Sequence, residues 1–198
     1  MLRFIDKDPR LSHSQSIVIT YPRTVQITFG NYPYPEDIHN LMMDVKKNIN
    51  EEDSYASNVK ARKTGWKEFI NHPLITKFIN HCINKHQVSN QDLFKHFYER
   101  KTIDDCWGNE IREGEYVINH NHISYHGILY LTKGEPLILP ELNMEIIPEP
   151  GNYYFFPPMI SHQVNPSTYK NNRYNIVMNI IEVLNWKKDK EIYLKNNE

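Results

Sequence analysis

From Thr102 onward the chain alternates short apolar runs with turn residues. The runs are IDDCW, GEYVINH, GILYLT, EPLILP, MEIIP, NYYFFP, HQVNP and RYNIVMNIIEV. Between two of them, EPGN (149–152) puts Pro150 and Gly151 at the central positions of a type II turn, where Gly supplies the positive φ. Many short strands punctuated in this way predict an antiparallel barrel or a double-sheet jelly roll.

The first half reads differently. SIVIT (16–20) and TVQITF (24–29) are strand-like and are split by turn residues around Pro22. Ile38, Leu41, Met42, Val45 and Ile49 then fall on one helical stripe. A second helix is predicted over Leu74–Lys85, with Phe78, Ile79, Cys82 and Ile83 on its buried face. A third is predicted over DLFKHFYER (92–100), capped by Ser89 or Asn90. The expected class is α+β, mainly β. One domain over 1–198 is expected: N-terminal strands and supporting helices (1–101), a β core (102–185) and a solvated charged tail (186–198). The helices are expected to cover the larger sheet.

Composition narrows the partners. A chain of 198 residues can bury a substantial core. Its 23 basic and 24 acidic residues give no support for a nucleic-acid partner. No apolar run of membrane-spanning length and no signal-like segment occurs, so a cytoplasmic location and no membrane partner are expected, in a host's cytoplasm if the chain is virally encoded. The two cysteines, Cys82 and Cys106, form no motif and imply no disulfide framework.

Histidine changes the picture. Of ten histidines, three fall within NHNHISYHG (119–127). Side chains alternate along a strand, so His120 and His122 share a face and can reach a common ion. A third ligand must come from elsewhere in this half, from His126 or His162. Beyond a bend at Ser124–Tyr125, His126 is expected to face solvent or substrate. On RYNIVMNII, Arg173, Asn175, Val177 and Asn179 share one face, and an inward-facing Arg is costly unless it meets an anion. Tyr154, Phe155, Phe156, Trp66 and Trp107 are expected in the core, with Trp107 also placed to wall a substrate entrance.

HxH, followed by G-x4-FP-x4-H-x10-R over roughly Trp107 to Ile181, resembles the Fe(II)/2-oxoglutarate-dependent dioxygenases. It is most similar to short oxygenases of phage and marine-bacterial type, whose N-terminal half NVKARKTGW (58–66) also resembles. The resemblance implies a double-stranded β-helix, Fe(II) and 2-oxoglutarate as cosubstrate. It makes His120, His122 and His162 the metal ligands and catalytic centre. It also implies that Arg173 and Tyr130 grip the distal carboxylate of 2-oxoglutarate, with Asn175 beside them. The implied reaction consumes O2 and hydroxylates an unactivated C–H bond, releasing succinate and CO2. Two positions depart from the family pattern. The wider family carries a carboxylate where this chain has His122, and many relatives carry Ser where it has Asn175. The substrate, whether a protein side chain, a small metabolite or a nucleobase, is not encoded in these residues.

Two other classes fit part of the pattern. GEYVINHNH matches the start of a cupin motif, and a cupin-like three-His metalloenzyme or a zinc hydrolase would use the same imidazoles. However, no Glu follows HxH at the cupin spacing. The other class is an inactive binding or virion-associated domain of the same fold.

Overall fold

The computed structural model describes residues 2–4, 15–20, 24–87 and 101–182. Its strands in chain order are β1 (Leu2–Phe4), β2 (Gln15–Thr20), β3 (Thr24–Asn31), β4 (Ile49–Asn50), β5 (Val59–Lys60), β6 (Arg62–Thr64) and β7 (Lys101–Ile111). They continue with β8 (Tyr116–His120), β9 (Tyr125–Tyr130), β10 (Leu137–Leu139), β11 (Met144–Ile146), β12 (Asn152–Phe156), β13 (His162–Val164) and β14 (Arg173–Glu182). Helix α1 spans Pro35–Lys47 and α2 spans Pro73–Gln87. The helix predicted over 92–100 lies outside the described residues.

Two sheets face each other. One has the order β1-β11-β10-β13-β8-β5, the other β2-β3-β12-β9-β14-β7-β6-β4. All pairs are antiparallel except β1 with β11. This is the jelly-roll double-stranded β-helix, with the helices on the larger sheet.

Alternation along β14 decides what lies on each side of that sheet. Tyr174, Ile176, Met178 and Ile180 join the helix-side core, whereas Val177 joins the core between the sheets. On the helix side α1 contributes Ile38, Leu41 and Val45, and α2 contributes Ile75, Phe78, Ile79, Cys82 and Ile83. Helix α1 starts at Pro35, carries Glu36 and Asp37 in its first turn and ends on Lys46 and Lys47, so its charges complement the helix dipole. It docks where β7 lacks a side chain: a Cβ at Gly108 would lie 2.4 Å from a Val45 methyl. The turn at Gly151 forms as expected, with φ +85 and Asn152 N donating to Glu149 O at 3.0 Å.

One core expectation is corrected. Trp66 is 39% exposed, and Trp107 alone of the two indoles is buried. Trp66 lies at a chain reversal, where its ring covers the buried Lys63 ammonium at 3.0 Å from ring centre to nitrogen. The favourable cation–ring contact explains an aromatic side chain left half in water.

Candidate metal centre and anion pocket

The space between the sheets is a cavity whose lining includes Trp107 and Asn109 from β7, His120, His126, His162, and Arg173 and Asn175 from β14. His120 and His162 are direct cross-strand partners on β8 and β13. Their ring centres lie 4.4 Å apart, with His122 at 5.0 and 5.2 Å from them. Ligand-capable nitrogens of His120, His122 and His162 all lie within 4.8 Å of one another.

The local reason for His122 differs from simple alternation. Strand β8 ends at His120, and His122 lies beyond it on an irregular segment. That segment is tied by Met159 N donating to His122 O at 2.8 Å. Met159 has φ +70, a left-handed conformation unusual for a side chain of its size and of a kind that clusters at functional sites.

Backbone carbonyls fix two of the rings. His120 Nδ1–H donates to Ile118 O at 2.7 Å, and His162 Nδ1–H donates to Ile160 O at 3.3 Å. A carbonyl only accepts, so both rings carry the proton on Nδ1 and keep the Nε2 lone pair, the form a metal needs. Burial, helped by the neighbouring imidazoles, pushes His162 down to about 3 and His122 to about 4, and burial lowers His120 as well. The cluster is therefore neutral at pH 7. Three neutral rings with the buried His122 Nε2 unpartnered among the described residues fit a divalent transition metal.

The same shifts predict how the metal-free protein responds to acid. An unfolded histidine titrates near about 6.5. Below that pH the unfolded chain binds protons that the folded cluster refuses. This contribution to stability is fully present above about pH 6.5 and is lost as pH falls towards the folded values. The slope is about 1.4 kcal/mol per pH unit for each imidazole, so His162 alone costs about 2 kcal/mol by pH 5. Denaturant unfolding of the metal-free protein at pH 7 and pH 5 measures it, and equal midpoints would contradict it.

At the other end of the cavity Arg173 is 1% exposed. One guanidinium nitrogen donates to Glu135 O at 2.8 Å, while Nε has no partner among the described residues. Among the described residues no carboxylate pairs with it, and the Glu135 carboxylate is taken by the Thr168 N–H and hydroxyl. Tyr130 is fully buried, its hydroxyl likewise has no partner among the described residues, and its ring centre lies 5.2 Å from the guanidinium carbon. Burial raises the phenol to about 12, so it stays a donor. Asn175 Oδ1 accepts from Asn109 Nδ2 at 2.9 Å, and Asn109 Oδ1 accepts from Trp107 Nε1 at 3.1 Å. A buried cation and a phenol with unused donors could together receive a carboxylate.

Of the two placements expected for His126, solvent or substrate side, solvent is ruled out, and the ring lines the cavity. It is 6% exposed, not open to solvent, and stacks on His122 with ring centres 4.2 Å apart. The sequence also did not reveal Gly134, against which the Arg173 stem lies.

The fold is that of the 2-oxoglutarate–Fe(II) oxygenases. One similar structure is a viral collagen prolyl hydroxylase from Paramecium bursaria Chlorella virus-1, solved as its 2-oxoglutarate complex, at TM-score 0.58 and 14% identity, covering 80% of this chain and 96% of that one. Another is a Pseudomonas putida prolyl-4-hydroxylase, at TM-score 0.58 and 12% identity, covering 78% and 91%. A third is HygX from Streptomyces hygroscopicus, with nickel and 2-oxoglutarate bound, at TM-score 0.57 and 6% identity, covering 77% and 82%. No protein-family model matches the sequence, and no curated protein matches it either. No helix among the described residues is long and apolar enough to cross a membrane.

Proposed function

We propose that the chain is an Fe(II)- and 2-oxoglutarate-dependent oxygenase that hydroxylates an unactivated C–H bond, with release of succinate and CO2. The observation that carries this reading is the pairing of two groups in one cavity: a neutral three-imidazole cluster at one end and, at the other, the buried Arg173, which meets no carboxylate among the described residues. A three-His cupin or zinc site explains the first and has no use for the second.

His120, His122 and His162 would hold the metal, which when bound supplies the redox chemistry with O2 and the cosubstrate. The protein supplies position and dryness. Arg173 and Tyr130 would donate to the far carboxylate of 2-oxoglutarate, fixing the molecule along the axis of the cavity. The Trp107–Asn109–Asn175 chain stiffens the wall between the two ends. Ile128, Val164 and Val177 exclude water from the reacting region. The substrates named for the similar structures, collagen prolyl groups among them, make peptides and small molecules the first classes to test.

Calorimetry of the Mn(II)-loaded protein without oxygen is the deciding measurement. Saturable binding of 2-oxoglutarate is expected, and none at millimolar cosubstrate would sink the reading.

Gly134 offers a further check. A Cβ there would lie 2.6 Å from Arg173 Cβ and 2.9 Å from its Cδ, so the arginine stem must move. Overpacking of this kind costs about 1–3 kcal/mol. Gly134→Ala should weaken 2-oxoglutarate at least about tenfold while Mn(II) affinity holds. Unchanged cosubstrate affinity would mean that Arg173 does not need its present position.

A further inference from the structure

The cavity contains a fourth imidazole. His126 on β9 lines it, with its ring plane within 9° of His122 and its centre 4.9 Å from His162.

A row across three neighbouring strands holds this ring. Asn179 on β14 is the register partner of His126 on β9 and of Asp105 on β7. Asn179 Nδ2 donates to Asp105 Oδ2 at 3.2 Å. A carboxylate only accepts, which fixes the amide orientation and turns Oδ1 towards the histidine. His126 Nδ1–H donates to that oxygen at 3.3 Å. His126 therefore has the tautomer that the backbone imposes on His120 and His162, with its Nε2 lone pair outside this bond. An Nδ1–H donated to a fixed oxygen is how metal-bound histidines are oriented. His122 has no such anchor among the described residues, and its Nε2 is unpartnered.

We propose that His126 is a fourth metal-directed imidazole, kept in ligand form by the Asp105–Asn179 row, and that it alternates with its stacked neighbour His122 on the ion. His120 and His162 then belong to both ligand sets: His122 completes the one whose nitrogens already lie within 4.8 Å of one another, and His126, outside that group as it stands, completes the other by moving towards the ion. The inference rests on the reading of the cluster as a metal centre. Its consequence is that the unanchored ligand can leave without releasing the metal.

Anaerobic Co(II) titration of the wild type, His122→Ala, His126→Ala and the double variant tests it, with thermal melts to verify folding. Each single change should weaken Co(II) by less than about tenfold, and the pair by more than about a hundredfold, beyond the product of the two. Co(II)-loaded His122→Ala should also show three paramagnetically shifted exchangeable imidazole N–H signals. That count leaves His126 in place, so it decides the matter even if His126→Ala does not fold. In the His122→Ala background, Asn179→Leu should cost about tenfold or more in Co(II) affinity. If His122→Ala alone abolishes Co(II) binding, or the two changes merely multiply, His126 is not a ligand while the metal centre stands. No Co(II) uptake by the wild type would remove the metal centre and this inference together.

Discussion

Arg173→Met should abolish tight 2-oxoglutarate binding and leave the metal in place. The methionine keeps an apolar stem of similar reach, so the buried segment at the head of β14 stays filled. What disappears is the planar pair of donors. Two charge-assisted hydrogen bonds to a carboxylate are worth on the order of 1.5–3 kcal/mol each. The expected loss is about 3 kcal/mol or more, a factor of roughly a hundred or greater. Lys at this position should recover only part of it, because an ammonium is a point charge without the fork. Tyr130→Phe removes one hydroxyl donor and should cost about 1 kcal/mol. Anaerobic calorimetry on Mn(II)-loaded variants measures all three. Equal cosubstrate affinity in Arg173→Met and wild type would place the carboxylate elsewhere.

His162→Ala, or His120→Ala, should strip the metal. These two rings face each other across β8 and β13, and backbone carbonyls hold each in ligand form. Loss of a group that merely orients a ligand costs 10–100-fold in metal affinity, so loss of the ligand itself should exceed about a hundredfold. His122 and His126 compete for one position and cannot make up the deficit. The metal-free variants should remain folded, since a neutral buried imidazole contributes little beyond packing. Added Mn(II) should raise the melting temperature of the wild type and leave both variants unmoved. A normal metal-induced shift in His162→Ala would show that the ion sits elsewhere.

The sequence made some of this legible and hid the rest for identifiable reasons. Period-2 alternation placed Arg173, Asn175 and Val177 on one face of β14, because a strand's geometry is local. The Gly151 turn was likewise legible, since positive φ leaves a residue signature. The anchoring of His126 was not. Asn179 lies 53 residues from it and Asp105 lies 74 residues from Asn179, and only the register of β7, β14 and β9 brings the three into one row. A rule that reads one strand at a time therefore left His126 undecided between solvent and the substrate side. Trp66 was misjudged for a similar reason: its partner, the Lys63 ammonium, is held by tertiary structure. His122 reached the cluster by a route that alternation did not describe, since the strand had already ended.

The two ends of the cavity belong to different sheets. His120 and His162 stand on the six-stranded sheet, and Arg173 and Tyr130 on the eight-stranded one. A metal held by His120, His122 and His162 would clamp two neighbouring strands of one sheet, and would touch the other sheet only while His126 on β9 takes the place of His122. A cosubstrate reaching from that metal to Arg173 would rivet the sheets face to face. Amide exchange should then slow in two stages: metal protects β8 and β13, and only the addition of 2-oxoglutarate extends protection to the head of β14. In mechanical terms a bound cosubstrate would be a cross-brace, and each turnover that consumed it would unfasten the sandwich for the next.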